Sequence, residues 1–325
     1  MNTLVRSIRV ALPLLTLTTA MLARADDAVF THTILAETLP KGASEVEQRV
    51  TFSNSTSRGT YELWQSRTEF EYGLTDRWKV AFNVNVYSVT AENNNSAASR
   101  VNFAATGDGD EVSGGGPATF GRFVPFLERL RLPSSRYEKT DLESVSLETV
   151  YQFLSPFKNA VGLTGYVEYG KGSRTEELEL KVLAQKNLLD DALILATNVI
   201  AEFEKDEFSR VGNGEKEVTL EFTTGASYKV AQGWRVGLEL RNQRGYEGAY
   251  SVSADNKDYS AWYAGPTVQY AGRLFERGFF LTAGYQEQLP WARAYSPAAK
   301  VELVNDRVLK DTEKHVARVL FGLSF

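Results

Sequence analysis

The sequence predicts an all-β fold: about twelve antiparallel strands closed into a membrane-spanning barrel. Three observations predict it. Apolar and polar residues alternate with a period of two along most of the chain. Connections alternate between short and long. The chain also opens with the features of an export leader.

The leader comes first. Arg6 and Arg9 form a basic head, Val10 to Leu22 carry no charge, and Ala23-Arg24-Ala25 is a small-residue cleavage site. Residues 1–25 therefore read as a secretory signal peptide, with an apolar part too short to span a bilayer as a helix. Its removal takes away three arginines and no acid, moving the formal charge from −5 to −8. The 325 residues contain no cysteine and only two histidines, His32 and His315. That excludes a disulfide framework, thiolate metal sites, a cysteine nucleophile and a histidine-rich metal centre. A mildly acidic chain without a basic stretch is a poor partner for nucleic acid, and nothing in the sequence asks for a cofactor. Past residue 25 no apolar run reaches the length of a membrane helix. The most apolar, Ala192 to Ala201, is half that length and is interrupted by Asn198.

Residues 26–44 contain VFTHTILAET, which is strand-like. A thirteenth strand would break the even count of such barrels, so this segment is expected in the lumen or the periplasm. The barrel itself is expected over 45–325. Its strands are read at 45–53, 59–72, 77–91, 141–153, 159–170, 175–186, 191–204, 215–229, 233–245, 259–270, 278–289 and 313–325. In 77–91, Trp78, Val80, Phe82, Val84 and Val86 alternate with Lys79, Ala81, Asn83 and Asn85. In 175–186, Leu178, Leu180, Val182 and Ala184 alternate with Glu177, Glu179 and Lys181. In 215–229, Leu220, Phe222 and Tyr228 share a face opposite Thr219, Glu221 and Thr223. In 233–245, Trp234, Val236, Leu238 and Leu240 oppose Arg235, Gly237, Glu239 and Arg241. A helix would scatter such a repeat around its circumference. Most of these strands exceed the roughly 9–11 residues that cross a bilayer at a tilt.

The short connections are 73–77, 154–158, 188–191, 231–233 and 272–277; the long ones include 92–140, 205–214, 246–258 and 290–312. Apolar-face aromatics gather at the short-turn ends (Tyr72, Trp78, Tyr151, Phe153, Tyr228, Trp234, Tyr270, Phe279, Phe325), and a smaller set lies near the long loops (Tyr169, Phe203, Trp262, Tyr285). Two belts are expected because an amphipathic ring is most stable where lipid meets water.

The last strand, HVARVLFGLSF, puts Ala317, Val319, Phe321, Leu323 and Phe325 on one face and stops on an aromatic. This resembles the assembly signal of Gram-negative outer-membrane barrels, with Phe321, Leu323 and Phe325 in the signal positions. The turn YGLTDRW (72–78) is similar to periplasmic turns of porin- or transporter-like barrels of an uncharacterised family. The resemblance implies residence in the outer membrane, contact with its lipid, and recognition by the barrel-assembly machinery.

With the apolar faces toward lipid, the lumen is expected to carry Arg49, Arg67, Glu69, Glu71, Lys79, Glu148, Glu168, Glu179, Lys181, Glu202, Glu221, Arg235, Glu239, Arg241 and Arg318. A lumen of this strand number lies between the side-chain-filled and the open porin sizes. The favoured expectation is a passive channel or transporter for small polar solutes or ions, without a covalent step. The alternative is a closed barrel acting through its loops as adhesin, receptor or structural protein. A lipid-surface enzyme comes third: His315 faces outward, but the sequence His315-Val316-Ala317 lacks the serine two residues on that a His-x-Ser lipase strand needs.

Three segments are candidates to occlude the lumen: 26–44, the loop 92–140, and the loop 290–312 with Trp291. In 92–140 the apolar run Phe120, Phe123, Phe126, Leu127 and Leu130 is expected to fold back into the mouth or onto neighbouring loops. Asp108, Asp110 and Glu111 form only a fragment of a calcium loop and read as a solvated tip.

Overall fold

The computed structural model describes residues 28–54, 60–92, 136–172, 175–206, 215–295, 303–304, 308–309 and 313–325. Eleven strands follow one another: β1 (Ser44–Asn54), β2 (Thr60–Thr75), β3 (Trp78–Glu92), β4 (Arg136–Leu154), β5 (Gly162–Gly172), β6 (Thr175–Leu188), β7 (Leu193–Asp206), β8 (Glu215–Ala231), β9 (Trp234–Glu247), β10 (Lys257–Leu274) and β11 (Arg277–Gln288). Three two-residue strands come next, β12 (Arg293–Ala294), β13 (Leu303–Val304) and β14 (Val308–Leu309), and the chain ends with β15 (His315–Ser324). Each long strand pairs antiparallel with its sequence neighbour. β15 pairs with both β1 and β11, closing a ring of twelve long strands. Backbone groups at the C-terminus are satisfied too, since Phe325 N–H donates to Ser44 O at 2.7 Å.

The period of two becomes an inside and an outside. Mid-strand apolar side chains such as Leu147, Val182, Val199 and Leu238 stand exposed on the outer surface, Leu238 at 66%. Water would not tolerate so continuous an apolar band, and closure leaves no long strand at an unpaired edge, so the molecule is a transmembrane barrel. The aromatic girdle at the short-turn end runs from strand to strand. Trp234 meets Tyr270 at 4.8 Å between centroids, Tyr270 meets Phe279 at 5.8 Å, and Phe279 meets Phe321 at 6.3 Å. Phe321 and Phe325 both face outward.

Two expectations need correction. The long connection read as 92–140 is shorter, because β4 already starts at Arg136. Its ladder with β3 continues outward to Glu92↔Arg136, past a bulge at Asn85/Val86 that the alternation hid. The connection read as 290–312 is not all loop: Arg293–Ala294 adds to the edge of β10 where β11 has stopped, and Leu303–Val304 pairs with Val308–Leu309. Residues 1–25, the apolar run of 120–130 and the acidic tip of 108–111 lie outside the described residues.

Candidate functional site

The lumen wall carries a layer of charge. Arg67, in the middle of β2, is its centre. Its Nε donates to Glu69 Oε2 at 3.0 Å, its Nη2 to Glu148 Oε2 at 3.1 Å, and its Nη1 lies 3.1 Å from Glu168 Oε1. Glu168 also accepts from Asn83 Nδ2 at 3.2 Å and from the hydroxyls of Ser146 and Tyr166. Lys79 donates to Glu71 at 2.7 Å, Arg49 to Glu47 at 2.9 Å, and Lys181 to Glu179 at 2.8 Å. The Lys181 ammonium also lies 4.0 Å from the centroid of the Tyr166 ring. On the far wall Arg241 pairs with Glu313 at 3.0 Å and lies 3.8 Å from Glu221, its guanidinium over Tyr263.

The pairing follows from the pleat. Residues i and i+2 share a face about 6.6 Å apart, within reach of an arginine or lysine and a glutamate. Charges taken out of water are tolerable only when paired and hydrogen-bonded, and each of these five cations has a carboxylate partner, with carboxylates in excess. Glu69, Glu71 and Glu148 bring carboxylate oxygens within 4.8 Å of one another. Arg67 and Lys79 already supply positive charge there, so the chemistry is that of an ion-pair cluster.

Below this layer lies the N-terminal segment. From β1 it runs back into the lumen, and the wall supplies partners for its backbone. Glu239 accepts from the backbone N–H of Thr31 (3.0 Å), His32 (2.9 Å) and Thr33 (2.7 Å), and from the Thr31 hydroxyl (2.7 Å). These successive N–H groups form a small anion nest around a carboxylate of the wall. The one Thr31 hydroxyl proton goes to Glu239, so His32 Nδ1, 3.0 Å away, donates to Thr31 Oγ1. Asn198 takes both backbone groups of Ile34 at 2.7 and 2.9 Å. Gln185 receives Ala36 N–H, while Gln152 and Thr164 donate to Ala36 O. Arg318 donates to Thr31 O at 3.0 Å and to Thr51 at 2.8 Å.

Apolar seats complete the fit. Val29, Phe30 and Leu35 pack with Ile194 and Ala196 of β7. A Cβ at Gly225 would lie 2.5 Å from the Phe30 ring, and one at Gly284 would lie 2.6 Å from Thr31 Oγ1. These two wall positions are open because the segment fills the space. What remains between the segment and the charged layer is a cavity of about 60 Å³, bordered by His32, Arg67, Glu69, Glu148 and Arg318.

Of the fifteen residues expected to line the lumen, all are buried except Arg49 and Arg235, which are half-buried. Arg235 sits at the short-turn mouth, where it donates to the carbonyls of Ser227 and Asp191. Arg67, Glu69, Glu148 and Glu168 are brought together. Glu239 and Arg318 instead grip the N-terminal segment. Sequence reasoning missed Glu313: it precedes β15, on the parity that points outward within that strand, yet turns in to Arg241 and Ser53. It missed Glu47 and Tyr166 as well, although Glu47 is two residues from Arg49 and Tyr166 two from Glu168, the spacing that pairs them. His315 stands at the outer rim, stacked on Tyr285 with its Nδ1 2.6 Å from the Tyr285 hydroxyl.

A sequence family described as "Family of unknown function (DUF6662)" matches residues 22–325. No curated protein matches the chain. Among solved structures, the COG4313 outer membrane channel from Pseudomonas putida F1 is similar at 13% identity with a TM-score of 0.55, covering 89% of this chain and 98% of that one. The NanC porin is similar at 9% identity with a TM-score of 0.46, covering 86% and 98%. The first likeness is one of fold.

Proposed function

The chain belongs to the DUF6662 family, and from its lumen we propose that it is a passive channel or transporter for small polar solutes, closed at rest by residues 28–43. Short turns and both ends of the barrel share one side, the habit of outer-membrane barrels, so that side is periplasmic and the protein resides in the outer membrane. The fold likeness to an outer membrane channel supports the same general role.

One observation carries the reading. The obstruction is a single covalent segment, hydrogen-bonded to the wall through groups that water can replace. Were it to leave, the charged layer of Arg67, Glu148, Glu168, Lys181 and Arg241 would border a water path, and its fixed charges would order ions and polar solutes. No covalent step and no cofactor enter this reading. Phe321, Leu323 and Phe325 are the positions at which the barrel-assembly machinery would read the last strand.

The test is a planar-bilayer recording of the refolded mature protein beside a form lacking residues 28–38. The expected result is a low conductance for the first and a several-fold higher, ion-selective conductance for the second. Silence from both would favour the rival reading, a permanently closed barrel working through its loops, to which the small residual cavity lends support.

A further inference from the structure

A second charged cluster lies on the outside of the barrel, at the long-loop end of β9 and β10. Arg244, Ser260 and Arg293 are direct cross-strand neighbours, since Ser260 pairs with Arg244 on one side and with Arg293 on the other. The three share the outer face with Trp262, and Lys257 stands beside them opposite Tyr246. Together with Trp262, Trp291 and Tyr295 they line a cleft of about 410 Å³.

The cations here differ from those of the lumen. Among the described residues Arg244, Lys257 and Arg293 form no ion pair: Arg244 donates its Nε to Asn242 Oδ1 at 2.9 Å, and Lys257 lies over the Tyr295 ring at 3.9 Å. The buried Asn242 side chain organises the site. Its Oδ1 holds the Arg244 Nε, and its Nδ2 donates to Ser260 Oγ at 3.1 Å and to Ala261 O at 2.8 Å. The Nη groups of Arg244 and the hydroxyl proton of Ser260 are thereby left as donors toward the cleft.

Height decides what meets these donors. From Tyr270 in the short-turn girdle to Ser260 the strand climbs about 33 Å along its axis at ~3.3 Å per residue, or about 25 Å at a tilt of ~40°. That is the height of the apolar band, so the Arg244–Ser260–Arg293 row stands at the headgroup level of the outer leaflet. Trp262, two residues nearer the membrane centre, meets Trp291 edge-on at 6.4 Å and walls the acyl boundary.

We propose that Arg244, Lys257, Ser260 and Arg293 bind the phosphate of an outer-leaflet lipid, with Trp262 and Trp291 against its acyl-proximal part. Guanidinium forks match phosphate oxygens, and Ser260 supplies a hydroxyl donor between them. The cleft continues the lipid-covered surface, so its occupant is a lipid rather than a free anion. This site is independent of whether the lumen conducts.

The test uses the full mature barrel in zwitterionic micelles and a fluorescent acylated disaccharide carrying two phosphates. Its dephosphorylated form and inorganic phosphate serve as comparison probes. The phosphorylated lipid is expected to bind and its dephosphorylated form to bind far more weakly. Each of Arg244→Gln, Lys257→Gln and Arg293→Gln is expected to weaken binding about fivefold, and the triple variant about a hundredfold. Arg273→Gln, an exposed arginine at the opposite end of the barrel, is expected to leave binding unchanged. A heat-shifted gel band reports folding of each variant, and Arg293→Gln alone, at a side chain that forms no hydrogen bond or ion pair among the described residues, serves if the triple form fails to fold. The proposal is overturned if folded triple variant, or Arg293→Gln in its place, binds as wild type, if Arg273→Gln weakens binding as much, or if inorganic phosphate binds as tightly as the lipid.

Discussion

The wall around Arg67 and the wall around Glu239 both bury charge, and they use it differently. Arg67 is satisfied by Glu69, Glu148 and Glu168, all side chains of the barrel itself. Glu239 is satisfied by Thr31, His32 and Thr33, which belong to the segment lying in the lumen. The first arrangement belongs to the barrel whatever the lumen contains. The second exists only while the segment is in place. On the proposed function, a charge paired within the wall would serve rigidity and the lining of a path, and a charge paired with the segment would serve closure.

Substitutions can separate the two. The largest effect on stability is expected from Arg67→Met, which leaves three carboxylates around one lost cation. Removing one partner of a buried pair costs about 3–5 kcal/mol, and the temperature of the heat-shifted gel transition should fall accordingly, with little loosening of the segment. Next comes Glu239→Gln, which exchanges charge-assisted bonds for neutral ones and turns an amide group toward N–H donors. A loss of about 1–3 kcal/mol in segment docking is expected, seen as faster proteolysis within 28–38 and more frequent channel opening while the barrel transition stays put. If the barrel transition moved instead, Glu239 would belong with Arg67.

The smallest effect is expected from Gly225→Ala, whose methyl group would press on Phe30 and cost about 1–2 kcal/mol of docking by overpacking. Adding Phe30→Ala should relieve that pressure, so the double variant should show less than the sum of the two single losses. Additive losses in conductance and proteolysis assays would mean that Gly225 and Phe30 do not meet.

Much of this was legible in the sequence for a physical reason. Lipid outside and polar groups inside impose one period on every strand, so Leu238 and Glu239 announce opposite faces without any structure. The period fails where a face is covered by protein. β7 is apolar on both faces near its start, with Leu195 outside and Ile194 and Ala196 inside. Its inner face packs Phe30, and two-sided apolarity was the available signal. Val316 and Leu320 of β15 are likewise inward and buried. Glu313 was illegible because parity holds only within a strand and β15 begins two residues later. The grip of Glu239 on the segment was also beyond reach, since it joins residues more than 200 positions apart.

Gly42, at a φ of +80° with open space where a Cβ would stand, turns the chain between the lumen segment and β1. A dislodged segment would therefore remain on a leash fixed at the periplasmic mouth. Flexible tethers of this kind keep a ligand at an effective concentration in the millimolar range, so dilution into the periplasm would not keep the lumen clear. Fully extended, the sixteen residues 28–43 span roughly 55 Å at most, so the segment could swing clear of the mouth without leaving its anchor at β1.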